Sequence, residues 1–201
     1  DMTEQELANV IWDIKEVIRN SYDDSEVEDV ILPFTLLRRL DCVLEDKYEV
    51  ILEELNKEED EKKRKYKLLS LMKKNGFAFF NMSGLSLKKL LNSPDQIGDS
   101  FKTYIEGFTD NVKDILANFV HEDGDSDTVD LSKIYTRLDR GNKLFAVIQQ
   151  FVEKADLHPS KVSNAMMGTI FEIVIRRSKE STNTKAGQYY TPREIVRLLA
   201  H

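Results

Sequence analysis

At 201 residues, 41% hydrophobic and 32% charged, the chain is long enough to bury a core and fits a helix-rich globular protein. No apolar run approaches the ~18 residues of a membrane span, and the N-terminus lacks a basic-then-apolar leader, so the reading is a cytoplasmic protein with no membrane partner. A net charge of -7 with a pI near 5.1 argues against a stand-alone nucleic-acid binder.

The charge is unevenly spread. Residues 1–60 hold 19 acids and 6 bases, residues 61–160 hold 14 acids and 16 bases, and residues 161–201 hold 3 acids and 7 bases. An acidic front and a basic tail point to two faces with different work. Cys42 is the single cysteine, which excludes an internal disulfide, and its apolar helical surroundings mark it as a buried structural thiol. His121, His158 and His201 are scattered, and with no second cysteine the set of metal-ligating residues is empty.

Helical patterns run almost throughout. Thr3 and Glu6 make a capping box, followed by Leu7, Val10, Ile11, Ile14, Val17 and Ile18 at 3.6 spacing, with Trp12 just off that stripe as a core or interface residue. A second helical region runs from Val27 to Leu55, where Pro33 predicts a break or kink. Residues 56–67 read as solvated helix or connection, acidic first and basic last, the order the helix dipole prefers. Residues 75–81, with a glycine and three phenylalanines, predict a short extended segment on the core.

Ser93-Pro94 opens the next helix, whose stripe continues from Phe101 to Phe119. Gly107 inside that stripe costs roughly 1 kcal/mol against alanine, which predicts close helix packing there. Residues 121–128 form an acidic loop. It resembles a calcium loop only superficially, since its glycine is misplaced and no closing glutamate follows. Further helices are expected over 131–138, 142–154 and 160–179, the last apolar on most sides and therefore central.

The chain ends with Gly187-Gln-Tyr-Tyr-Thr-Pro-Arg-Glu194. Thr191 suits a helix cap, Pro192 the first helical position, and Glu194 closes a capping box. A polar loop at a helix N-terminus offers free backbone donors to an anionic ligand. The same residues also read simply as a capped helix start with tyrosines in the core.

Three segments together resemble the N-terminal part of the modification (M) subunit of type I restriction–modification systems, which are adenine-N6 DNA methyltransferases. They are Val10-Ile-Trp12 with Val17-Ile-Arg19, then Val30-Ile-Leu-Pro-Phe-Thr-Leu-Leu-Arg-Arg-Leu-Asp41, and Gly168-Thr-Ile-Phe-Glu-Ile-Val-Ile-Arg-Arg177 leading into Ala186-Gly-Gln-Tyr-Tyr-Thr-Pro-Arg-Glu-Ile-Val196. The last is the most specific. The resemblance implies one all-α, multi-helix domain over residues 1–180. Residues 181–201 then form a linker and first methyltransferase motif, leading into an α/β methyltransferase domain absent from the sequence.

It further implies that Gln188, Tyr189, Tyr190, Thr191, Pro192 and Arg193 contribute to binding S-adenosylmethionine. The Thr191 hydroxyl and backbone donors would take its carboxylate, and a tyrosine face its sulfonium. The implied partners are DNA, a specificity subunit, a restriction subunit and a second M subunit. No Asn-Pro dipeptide and no Gly-x-Gly occurs in the 201 residues, so no catalytic residue is assigned and this chain is not expected to methylate DNA alone.

Arg176, Arg177, Lys179 and Lys185 form the densest basic cluster, read either as DNA phosphate contacts or as a solvated helix end. Arg38 and Arg39 either face DNA or pair with Asp41 and Glu45. The run from Lys62 to Lys67 reads as solvated. Two other readings stay open: a helical protein-interaction module with an acidic docking front, and the equivalent domain of a single-chain restriction or phage-defence methyltransferase.

Overall fold

A computed structural model describes residues 1–22, 27–117, 138 and 143–182. Among them the fold is all-α, with nine helices and no strand: α1 (Glu4–Tyr22), α2 (Val27–Leu44), α3 (Tyr48–Asn56), α4 (Glu61–Asn75), α5 (Leu87–Leu90), a 3-10 turn (Pro94–Gln96), α6 (Ile97–Glu106), α7 (Asp110–Ala117), α8 (Lys143–Lys154) and α9 (Asn164–Thr182). The expectations for the acidic loop at 121–128, the helix at 131–138 (Leu138 aside) and residues 183–201 lie outside the described residues.

Local chemistry sets most helix ends. The Thr3 hydroxyl accepts from the Glu6 amide at 3.2 Å while the Glu6 carboxylate accepts from the Thr3 amide at 3.2 Å, a closed capping box. Asp60 caps α4 by accepting from the Lys63 amide at 3.0 Å, and Gly76 ends α4 in the left-handed region at φ 74°. Ser163 starts α9 by accepting from the Met166 amide at 3.2 Å.

Tertiary packing revises three expectations. First, of the break or kink expected at Pro33 no break occurs: α2 continues through it, because Val30, Ile31, Leu32, Phe34, Leu36, Leu37 and Leu40 are all buried and outweigh one missing backbone donor. Second, α2 rather than α9 is the central helix. α9 buries one stripe, Met167, Ile170, Phe171 and Val174, and leaves Glu172 and Arg176 exposed. α1, α8 and α9 pack on α2 and α1 packs on both α8 and α9.

Third, the stripe after Ser93 is two helices. The chain turns at Gly107 and Phe108, where Phe108 bridges Asn81 in antiparallel register. The Met82 amide donates to the Gly107 carbonyl at 2.7 Å and the Thr109 amide to the Phe80 carbonyl at 2.9 Å. The expected extended segment before Asn81 therefore exists, and its partner is what breaks the helix. A Cβ on Gly107 would lie 2.6 Å from the Asn81 side chain and 2.8 Å from the Ser83 backbone nitrogen, so close approach demands glycine here.

In α1, Val17 is 45% exposed while Lys15 is 1% exposed. Trp12 explains the exchange. It is buried, and the Lys15 ammonium sits 4.0 Å from its ring centroid while pairing with Glu16 at 3.2 Å.

Candidate functional site

The functional residues read from the sequence fall on α2, α9 and the segment beyond it. On α2, Arg38 and Arg39 reach backward in space to residues more than a hundred positions away. The Arg38 Nε donates to the Ala155 carbonyl at 2.8 Å and its Nη2 to Val152 at 3.4 Å. The Arg39 Nη1 donates to the carbonyls of Leu157 and Val162, both at 2.7 Å, and its Nη2 to Asn164 Oδ1 at 3.0 Å.

Residues 152–164 cover the last turn of α8, where helix geometry leaves carbonyls without partners, and the segment leading into α9, whose carbonyls also need donors when buried. The arginines supply those partners, so the expected pairing of both with Asp41 and Glu45 gives way to carbonyl clamping. Arg39 is 1% exposed, and burial pulls its guanidinium below the ordinary value. A buried arginine in that setting faces no DNA.

Asp41, on the same helix, holds the opposite side. Its Oδ2 accepts from the Leu87 amide at 2.8 Å and its Oδ1 from the Tyr104 hydroxyl at 2.6 Å, tying α2 to α5 and α6. Burial pushes the carboxyl up to about 7, Tyr104, Leu87 and Arg38 pull against that, and Glu45 adds to it. The Tyr104 phenol is in turn held well above its ordinary range, first by burial and then by Asp41.

Asp41 lies at the wall of a cavity of about 320 Å³ between α2, α3 and α5, lined also by Leu44, Tyr48, Leu85 and Lys89. Two of its polar side chains, Tyr48 and Lys89, are already engaged. The Tyr48 hydroxyl donates to the Asn81 carbonyl at 2.8 Å and accepts from the Gly84 amide at 2.9 Å, and burial pushes its phenol up to about 12. Lys89 pairs with Glu49. No residue of α9 lines this cavity, and its hydrogen bonds serve the segment from Asn81 to Leu87. Asn81 is the organiser that sequence reasoning missed. Its amide donates to the Tyr104 carbonyl at 3.0 Å and its Oδ1 accepts from the Ser83 amide at 2.8 Å. A polar residue straight after two phenylalanines was the available signal.

Glu45, Asp46 and His158 place one potential ligand atom each within 4.8 Å of one another. The imidazole is nevertheless committed. Its Nδ1 accepts from the Ser160 amide at 3.0 Å, which puts the proton on Nε2, 3.0 Å from Asp46 Oδ2. A metal on Nε2 would need that proton moved to Nδ1, against the Ser160 donor. The trio therefore reads as a tie between the end of α2 and the 155–163 segment.

Among the expected DNA contacts, Arg176 is exposed to solvent. Arg177 is folded against α1, donating to Asn9 Oδ1 at 2.7 Å with its guanidinium 5.1 Å from the Trp12 centroid. Trp12 thus carries a cation from its own helix and one from α9. Lys179 belongs to α9, but its side chain, Lys185 and the cofactor set Gln188, Tyr189, Tyr190, Thr191, Pro192 and Arg193 lie outside the described residues.

Two protein-family models match the chain. HsdM N-terminal domain covers residues 7–151, and N-6 DNA Methylase covers residues 162–201. Comparison with curated proteins and with solved structures gives no match. In the interval between the two matches Arg38 and Arg39 hold the backbone carbonyls of residues 152, 155 and 157, and Arg39 also holds that of Val162, the first residue of the second match.

Proposed function

The chain belongs to the HsdM N-terminal domain family, the N-terminal region of the type I restriction–modification M subunit in the adenine-N6 methyltransferase lineage, and we propose that it serves S-adenosylmethionine-dependent methylation of DNA by the whole protein in two ways. The helical domain clasps DNA and contacts the specificity subunit, the restriction subunit and a second M subunit. The segment after α9 supplies one wall of the cofactor pocket, and an α/β domain beyond residue 201 supplies the chemistry.

One observation carries this reading. α9 is a core helix of the helical domain, with Met167, Ile170, Phe171 and Val174 buried, and it lies within the stretch matched to N-6 DNA Methylase. The helical domain and the first methylase residues therefore share one packed body, and the Arg39 clamp fixes where α9 begins. A domain that grips DNA then also aims the cofactor loop.

The donor set suits S-adenosylmethionine. The Thr191 hydroxyl would complement a carboxylate, Gln188 adds an amide, and Tyr189 or Tyr190 would offer an aromatic face to a sulfonium. Arg193 adds a positive charge that would favour a carboxylate. The test is a calorimetric titration of S-adenosylmethionine into this 201-residue chain and into one extended through the following domain. The extended chain binds and the shorter one does not. Thr191→Ala and Tyr190→Ala weaken the extended chain's affinity about tenfold, the loss of one hydrogen bond or cation–π contact. Unchanged affinity in both variants removes the site assignment, and tight binding by the 201-residue chain refutes the shared pocket.

A further inference from the structure

Among the described elements the most positive is α4, Glu61–Asn75, with seven bases and a single acid in 15 residues. The chain as a whole is at -7, so positive charge is concentrated here against the trend. The helix buries only Leu68 and Met72 and packs on α3. At 100° per residue, Lys62, Lys65, Tyr66, Leu69 and Lys73 fall within one arc of about 100°, beside the stripe of Leu68 and Met72. All five are exposed, Tyr66 by 67% and Leu69 by 56%.

Not every lysine on α4 is equivalent. Lys67 and Lys74 add to the field that keeps Glu54 of α3 below the ordinary carboxyl range, an effect set first by its hydrogen bond from Lys57. Lys62, Lys65 and Lys73 form no ion pair or side-chain hydrogen bond among the described residues. Acidic residues 58–61 crowd the helix start, so the positive field is strongest along the middle and C-terminal turns.

We propose that this solvent face of α4 is a DNA-backbone contact, with Lys62, Lys65 and Lys73 taking duplex phosphates and Tyr66 and Leu69 packing between them against the sugars. The inference rests on the DNA-clasping role and places it on an element other than the α9 cluster. Charge complementarity selects the partner. Lys62 and Lys73 are eleven residues apart, about 16 Å along a helix, enough to reach phosphates on both sides of a major groove about 12 Å wide.

The test is fluorescence anisotropy of a labelled 30-bp duplex of arbitrary sequence, titrated with the 201-residue chain at several salt concentrations. The variant Lys62→Gln/Lys65→Gln/Lys73→Gln is compared with a control, Lys47→Gln/Lys102→Gln/Lys154→Gln, which removes equal charge from exposed sites elsewhere. Three lost phosphate contacts lower the slope of log affinity against log salt by about 2.7, so the advantage of wild type over variant shrinks about 40-fold from 50 to 200 mM. The control keeps the wild-type slope. Tyr66→Ala weakens binding without changing the slope.

Equal slopes for variant and wild type, or an equal loss in the control, overturn the assignment to α4. If Arg176→Ala weakens binding while the α4 variant does not, the DNA-clasping role stands and this surface fails. If wild type binds no duplex at any salt, both fail. Displacement of DNA by poly-glutamate at equal charge concentration would make α4 a site for acidic protein instead. Circular dichroism melts confirm folding, since glutamine at exposed helical sites preserves helix propensity.

Discussion

Replacing Asp41 by asparagine should change how stability depends on pH more than stability itself. Burial holds the folded carboxyl near 7 against an ordinary 3.8. The direction follows from proton counts. Below about pH 4 both folded and unfolded chains carry the proton, and the contribution of Asp41 is fully present. As pH rises toward 7, the unfolded chain releases its proton first, so stability falls until the folded carboxyl ionises too.

At about 1.4 kcal/mol per pKa unit, the full loss is about 4 kcal/mol, of which about 2.6 kcal/mol falls between pH 5 and 8. Asparagine cannot ionise. Its Oδ1 can still accept from Leu87, and its amide can donate to the Tyr104 oxygen, at the cost of the Tyr104 proton's acceptor. Asp41→Asn should therefore be less stable than wild type at pH 5 and gain on it as pH rises. Urea unfolding followed by helical circular dichroism at pH 5, 6, 7 and 8 gives the difference directly, and other titrating groups cancel in it. The nearby charges, Arg38 and Glu45, are present in both chains. A difference independent of pH would refute the reasoning. It would mean that the donors from Leu87 and Tyr104 and the Arg38 charge outweigh desolvation and hold Asp41 as a carboxylate.

Three further outcomes are expected. Arg39→Met leaves the buried carbonyls of Leu157 and Val162 without their donor and should cost about 3 kcal/mol in urea unfolding; a loss below about 0.5 kcal/mol would show that the clamp is dispensable. Gly107→Ala drives a Cβ into the Ser83 backbone and should cost about 2 kcal/mol, read as a lowered Tm, although its φ of -74° suits alanine. Arg177→Ala should lower stability by about 1 kcal/mol and shift Trp12 fluorescence, whereas Arg176→Ala should do neither. Equal effects from the two would contradict the packing of Arg177 on α1.

Helix content and family were legible because they rest on short-range signals. The Thr3–Glu6 box and the stripe of α8 involve partners within a few residues, and each forms as the spacing predicts, whereas Pro94 opens a 3-10 turn that Ser93 does not cap and the α-helix follows from Ile97. Cys42 likewise sits buried, its thiol pushed up to about 11 by desolvation. The site was less legible. The Arg-Arg-Leu-Asp run on α2 has the composition of a charged surface patch. Its meaning lies in the carbonyls of 155–162 and in Leu87 and Tyr104, none of which lies near it in the chain.

The same distinction governs the irregular positions. Sequence alone determined that this chain is a helical bundle of the M-subunit kind, since apolar period, caps and motif order are properties of neighbouring residues. Only tertiary structure decided that Pro33 stays within a helix, that Gly107 ends one, that α2 rather than α9 is central, and that Arg39 is a clamp rather than a DNA contact. Each depends on burial against a distant partner, and burial of several apolar side chains outweighs the roughly 1–3 kcal/mol by which local propensity speaks for a single residue.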